Sequence, residues 1–304
     1  MALSLTGSST FRCCREFDEQ RDQNEPVRKM SKTEQPKLFP VDLVKSYYDI
    51  NNDVEEELEL LKDSLEGVHC GRCGLLLKVD EHLSNIVRHI IFDEYSPGHR
   101  VLLLRCDGGG GHIAAVRVAQ KWWSVEEMLS SYDVSRNGLE DVRTFGERLV
   151  LSILNGIVFN QHERMTDDPT FGHHPPNETA KLMWHSGKAI GFYSIKQKGK
   201  LISYFSPDVW TINVLDTIFV RKACRKRGLA TKMVEDFLQS FPNQDVGFSS
   251  PLGKTIKTIC LKILSRNTEN RDRIWECWEP GGMYGRINLW LSLKTTAKGN
   301  SDIG

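Results

Sequence analysis

The sequence predicts an α/β fold, an α+β mixed sheet with helices on its faces, from three observations. Val214–Val220 and Ala189–Lys196 are apolar runs rich in β-branched and aromatic residues, as buried strands are. Leu229, Met233, Val234, Phe237 and Leu238 recur at helical spacing, as do Ile256, Ile259, Cys260, Ile263 and Leu264. The two patterns alternate along the C-terminal part of the chain, which is how mixed α/β layers are built.

In chain order, residues 1–36 are polar and charged with little periodicity, and disorder is expected there. Residues 37–165 form an N-terminal α/β region. Within it Val101–Arg105 reads as a buried strand, while Ile113–Trp123 and Leu139–Phe159 read as helix-rich. Residues 166–177 carry three prolines and read as a linker. From 178 to 294 the expected order is hairpin, strand, loop, helix, strand, helix and two closing strands. The hairpin turns at Ser186-Gly187-Lys188. The closing strands, Ile274–Trp278 and Arg286–Leu293, flank a Pro-Gly-Gly turn. Residues 295–304 are a tail.

Composition bounds the function classes. The 304 residues hold 40 basic and 40 acidic side chains, so net charge creates no bias toward nucleic acid or membrane. No apolar run approaches a membrane span, and Met1–Thr6 is too short and polar for a secretory signal. An intracellular protein, not a secreted one, is expected, with its eight cysteines reduced. His69-Cys70-Gly-Arg-Cys73 has metal-knuckle spacing, with His82 and His89 nearby in sequence. No second paired knuckle is evident, so the reading is a turn with ordinary thiols and no metal. Gly108–Gly111 lacks the Gly-Lys-Ser/Thr ending of a phosphate loop and reads as a flexible loop. The seven tryptophans read as core.

Val214–Leu238 carries the chemistry. An apolar strand runs into the basic turn Arg221–Arg227, and an amphipathic helix follows. At the joint, Arg225-Lys226-Arg227-Gly228-Leu229-Ala230 matches Arg/Gln-x-x-Gly-x-Gly/Ala. Such a joint aims backbone N–H groups, a helix dipole and cationic side chains at one spot, as a pyrophosphate requires. The bland alternatives are a basic strand-to-helix turn or a nuclear-import signal.

This strand, motif and helix resemble the acetyl-coenzyme A signature of the GCN5-related N-acetyltransferases, and Gly187–Phe192 is similar to the preceding hairpin of that family. The resemblance covers about residues 175–294. It implies acetyl-CoA as cofactor, bound by Phe219, Val220, Arg225, Lys226, Arg227, Gly228, Leu229 and Ala230, and acetyl transfer to a protein lysine or N-terminus. Transfer needs a base for the amine, a donor for the thioester oxyanion and an acid for the thiolate. Asp216 is the candidate base and Tyr284 the candidate acid; a strand N–H at Phe219 or Val220 is the candidate oxyanion donor. Asp216 is alternatively a structural carboxylate paired with a basic residue, Tyr284 an ordinary turn tyrosine, and Cys224 a structural thiol.

Phe39–Leu43, Gln120–Ser124, Gly146–Val150, Gly187–Ser194 and Val214–Thr217 together resemble the soluble lamin-associated protein family. That resemblance implies a nuclear setting, at the nuclear envelope or lamina, and leaves open a catalytically silent, acetyltransferase-like interaction protein.

Overall fold

The structure, a computed structural model, describes residues 37–50, 54–62, 66–92, 100–108, 111–164, 170–175, 177–203 and 205–299. The expectation of disorder for residues 1–36 falls outside them. Short helices α1 (Pro40–Leu43) and α2 (Val54–Leu61) come first, then a two-stranded sheet of β1 (Gly67–His69) and β2 (Leu76–Lys78). An antiparallel meander follows: β3 (Ile86–Ile90), β4 (Arg100–Arg105), β5 (Ile113–Val118) and β6 (Lys121–Ser124). Helix α3 (Val125–Met128) leads into β7 (Gly138–Asp141). Helix α4 (Phe145–Ile153) runs on without a break as a π-helix over Leu154–Glu163.

The remaining strands are β8 (Thr179–His185), β9 (Lys188–Lys196), β10 (Asn213–Val220), β11 (Val246–Ser249), β12 (Ile274–Cys277) and β13 (Arg286–Asn288). Helices α5 (Leu229–Ser240), α6 (Lys254–Arg266) and α7 (Leu289–Gly299) are interleaved with them. β7 to β13 lie side by side in chain order as one seven-stranded sheet. It is mixed: β11 is parallel to both β10 and β12, and the other pairs are antiparallel. The fold is α/β. Ser186 and Gly187, at φ 47° and 72°, make the left-handed two-residue turn of the expected β8–β9 hairpin.

Three expectations are corrected. Ile113–Trp123 is a hairpin, not a helix. Its strands are covered on both faces: Val116 and Trp123 join one core cluster, Ala115 and Trp122 another. Burial on both faces gives a continuous apolar run, which hides the period of two. The turn residues Ala119 and Gln120 adopt φ of 50° and 58° without the Gly or Asn that would announce them. Leu139 lies in β7, not in a helix. The second closing strand stops at Asn288, because Leu289 and Leu293, one turn apart, seat a helix on the core. Trp290 on that helix packs beneath Arg271 and Lys294, 4.1 and 4.6 Å from its ring.

β7 pairs with β8, so the N-terminal region supplies one edge of the large sheet. A single core cluster joins Val116 and Trp123 of the meander, Leu149 and Ile153 of α4, and Trp184, Phe192 and Phe219 of the large sheet. On the opposite face, Met233, Val234 and Phe237 of α5 pack with Tyr193, Leu215 and Phe248. The helical face read from the sequence is the buried one.

One histidine makes the contact between layers sensitive to acid. His89 of β3 lies against Gly156 of the π-helix and 6.0 Å from the His173 ring. Burial, then the nearby His173, lowers its pKa from 6.5 to about 4. Above pH 6.5 both folded and unfolded states hold this imidazole neutral. Between 6.5 and 4 only the unfolded state takes up the proton, so stability is lost as pH falls through that window, by at most about 3 kcal/mol. Melting temperature measured from pH 7 to 4 should therefore fall more steeply in wild type than in His89→Gln. Parallel curves would contradict this assignment.

Candidate functional site

Strands β10 and β11 begin together and separate. Their ladder runs Asn213↔Val246, Val214↔Gly247, Leu215↔Phe248 and ends there. Beyond Leu215, β10 continues for five residues along β9, whereas β11 stops at Ser249 and the chain turns into α6. An irregularity marks the separation. From Leu215 to Ile218 β10 takes three residue steps against two on β9, from Ile195 to Tyr193, which is the signature of a β-bulge. The bulge lets Leu215 and Ile218, an odd number apart, join the same core cluster. It also turns Asp216 toward the gap.

The gap is a cleft of about 570 Å³, within the range of small-molecule sites. Asp216, Ile218, Phe219 and Val220 line it from β10, and Ser249 from the end of β11. Both following helices open onto it, contributing Gly228–Thr231 at the start of α5 and Gly253–Ile256 at the start of α6. Neither helix has a side-chain N-cap or an acidic residue in its first turn. In α5 the first intrahelical bond runs from Lys232 N–H to Gly228 C=O, 2.9 Å. The N–H groups of Leu229, Ala230 and Thr231 therefore have no partner within the helix. Two positive helix ends face one cavity beside Arg225, Lys226 and Lys254, and Asp216 is the sole carboxylate among the described lining residues.

The basic turn is held from beneath. Arg221 makes a two-pronged pair with Glu126, at 2.6 and 2.9 Å. Burial opposes its charge, but the Glu126 contacts outweigh burial and raise its pKa. Glu163, at the end of the π-helix, accepts the Lys222 N–H and lies 3.9 Å from Arg225. Arg225 Nε donates to the Val220 carbonyl, 2.9 Å. Gly228 then turns the chain into α5 at φ +76°, a conformation that favours glycine.

This arrangement separates the two candidate oxyanion donors. Arg221 N–H donates across the ladder to Ile190 C=O, 2.9 Å, and the Phe219 carbonyl approaches Gly191 so closely that a Cβ there would sit 2.5 Å from it. Strand alternation then turns the Val220 peptide groups outward, in agreement with the Arg225 contact. Val220 N–H faces the cleft, and Phe219 contributes its ring.

Asp216 is half-buried. It accepts from Ser249 Oγ at 2.6 Å and lies 3.8 Å from Lys196 Nζ. Lys196 also pairs with Glu178, 3.1 Å, whose other oxygen is 3.3 Å from His174 Nδ1. Burial works against the charge on Glu178, but His174 and Lys196 together hold its carboxyl well below the usual range. The structure thus brings together Asp216, Phe219, Val220, Arg225, Lys226, Gly228, Leu229 and Ala230 around one cavity. Arg227 is half-buried and does not line it. Tyr284 lies fully exposed in the turn between β12 and β13, outside the cleft lining. Cys224 lines the cleft from beneath the basic turn.

Sequence reasoning missed the wall facing the basic turn. Phe159 of the π-helix stacks on Phe171 at 4.6 Å and meets Phe219 at 5.2 Å, giving an aromatic side to the cleft. Asn155 and Asn160 fasten the Phe171 segment by donating to the carbonyls of Gly172 and Phe171. No local pattern announces a contact between a helix and a proline-rich segment.

The chain is 39% identical to Protein FAM169B of Mus musculus over 202 residues, 65% of this chain and 60% of that protein. It is 42% identical to Protein FAM169BP of Homo sapiens over 106 residues, 34% of this chain and 55% of that protein. It therefore spans under two thirds of the length of either relative. No protein-family model matches the chain. Among the described residues, no helix is long and apolar enough to cross a membrane.

Proposed function

We propose that this relative of FAM169B binds acetyl-CoA in the cleft between β10 and β11 and transfers the acetyl group to an amine, on a protein lysine or N-terminus. The observation that carries the reading is the cleft itself. Two parallel strands splay at a bulge, and the helix following each presents an uncapped, acid-free N-terminus to the same cavity. A pyrophosphate suits the N–H groups of Leu229–Thr231 with Arg225 and Lys226 alongside. The thioester arm then lies along the unpaired edge of β10, where Val220 N–H can donate to the oxyanion. The order from the β8–β9 hairpin to α6 also matches the acetyltransferase resemblance of Val214–Leu238. In the transfer, the amine nitrogen bonds to the carbonyl carbon, the carbon–sulfur bond breaks with its electron pair leaving on sulfur as the coenzyme thiolate, and Asp216 takes the proton released by the amine.

A second reading, a catalytically silent interaction protein in a nuclear setting, is favoured by the ties of Asp216 to Ser249 and Lys196 and by the outward placement of Tyr284. Fold alone does not decide between them. Calorimetric titration with acetyl-CoA and with free CoA tests the binding step that both readings can share, and turnover on histone and N-terminal peptides tests the transfer. Absence of heat with either coenzyme at millimolar concentration would end the coenzyme reading.

The loop has its own test. At Gly228 a Cβ meets nothing within 4 Å, so a side chain there has room, although the backbone is left-handed. Gly228→Glu puts a carboxylate beside the proposed pyrophosphate and should weaken coenzyme binding at least ~10-fold, about 1.4 kcal/mol. A folded Gly228→Glu protein with unchanged affinity would exclude this loop as the phosphate cradle.

A further inference from the structure

We propose that Cys70, Cys73, Cys106 and His112 form a structural zinc site that ties the β1–β2 sheet to the end of β4 and the start of β5. Their donor atoms all lie within 4.8 Å of one another. Cys73 Sγ is 3.4 Å from Cys106 Sγ, and Cys70 Sγ is 2.9 Å from His112 Nε2. A tetrahedral zinc with Zn–S of ~2.3 Å and Zn–N of ~2.0 Å separates its ligand atoms by about 3.5–3.8 Å. Changes of up to about 1 Å in the distances between these side-chain atoms accommodate the ion.

Local structure is that of two knuckles. In the first, Cys70-Gly-Arg-Cys73-Gly74 turns tightly, with Gly74 at φ 77° and Gly74 N–H donating to Cys70 C=O, 2.8 Å. In the second, Cys106 and His112 close the β4–β5 connection, where Cys106 N–H donates to His112 C=O at 2.9 Å. Backbone N–H groups two residues on, at Leu75 and Gly108, point at the sulfurs of Cys73 and Cys106 respectively. Amides so placed orient the sulfurs as ligands.

The expectation of no metal rested on the lack of a second pair. The pair exists, but its partner cysteine lies 33 residues beyond Cys73 and its histidine follows a glycine loop. His89, a nearer candidate in sequence, packs against Gly156 instead. Three thiols and an imidazole make a borderline-soft donor set that suits zinc over magnesium or calcium. The site also has a structural purpose. β1 and β2 have three residues each, too few to persist as an isolated pair, and the apolar cluster beside them is small.

The test uses the full chain, purified under reducing conditions with zinc chloride and then dialysed. Elemental analysis should find a single zinc per chain. X-ray absorption should give a shell of three sulfurs at ~2.3 Å and one nitrogen at ~2.0 Å. Cys73→Ser and His112→Ala should lose stoichiometric zinc, and a chelator should lower the melting temperature of wild type. Should either variant fail to fold, the absorption spectrum of wild type still decides. An all-sulfur shell would overturn the assignment of His112. Metal-free protein whose eight cysteines react with a thiol reagent at the same rate with and without zinc would overturn the site. So would an intact mass showing a Cys73–Cys106 disulfide.

Discussion

Asp216→Asn is expected to leave acetyl-CoA affinity unchanged while lowering acetyl transfer to a reactive amine by ~100-fold or more, the usual contribution of a general base. The substitution keeps size and can still accept the Ser249 hydroxyl, so the cleft should retain its shape. What disappears is the carboxylate, and Asp216 supplies the only one among the described lining residues. The deficit should narrow as pH rises and the amine loses its proton unaided. A different pattern would identify a structural carboxylate: a lower melting temperature from the lost attraction to Lys196, and activity that merely follows the folded fraction. Equal specific activity of folded wild type and variant at neutral pH would remove Asp216 from the chemistry.

Phe237→Ala should destabilise the chain by about 3–5 kcal/mol, the range for truncating a fully buried aromatic side chain. Phe237 is wholly inaccessible and holds α5 to the sheet, with Tyr193, Phe241 and Phe248 rings at 6.5, 5.5 and 5.7 Å. Because α5 carries the proposed phosphate cradle at its other end, loosening its seat should also weaken coenzyme binding. Denaturant unfolding measures the first effect and titration at low temperature the second. A stability change below about 1 kcal/mol would mean that neighbouring rings refill the space, since such costs depend on how far a site collapses.

The difference between what was legible in sequence and what was not follows distance along the chain. The strand–turn–helix from Val214 to Leu238 was legible because its strand, glycine and apolar helical stripe are all contiguous. The β8–β9 hairpin was legible through Ser186-Gly187, whose turn chemistry is local. Within the meander Val101–Arg105 is legible as the buried strand it forms, whereas the Ile113–Trp123 hairpin is not, because burial on both faces erases the alternation and its left-handed turn uses Ala119 and Gln120. The aromatic wall of Phe159 and Phe171 and the four-donor cluster join segments with nothing in common locally. The position of Tyr284 depended on how the chain leaves β12, which a Pro-Gly-Gly turn does not specify. Asp216 could be named from the strand, but the bulge that aims it, and Ser249 and Lys196 that hold it, came only from pairing.

The pairing of β7 with β8 has a consequence for how this chain can be divided. β8 buries Ala180, Leu182, Met183 and Trp184, and its outer edge is covered by the four residues of β7, with Leu139 opposite Met183 and Gly138 opposite Trp184, and by Val142 N–H, which donates to Ala180 C=O at 2.9 Å. Cutting within the proline-bearing stretch before Thr179 would leave that edge as a row of open backbone donors and acceptors flanked by buried-type side chains. Such an edge is a template for pairing with another copy. The residues before β8 therefore act as a guard against self-association, and a C-terminal fragment released by proteolysis would be prone to aggregate.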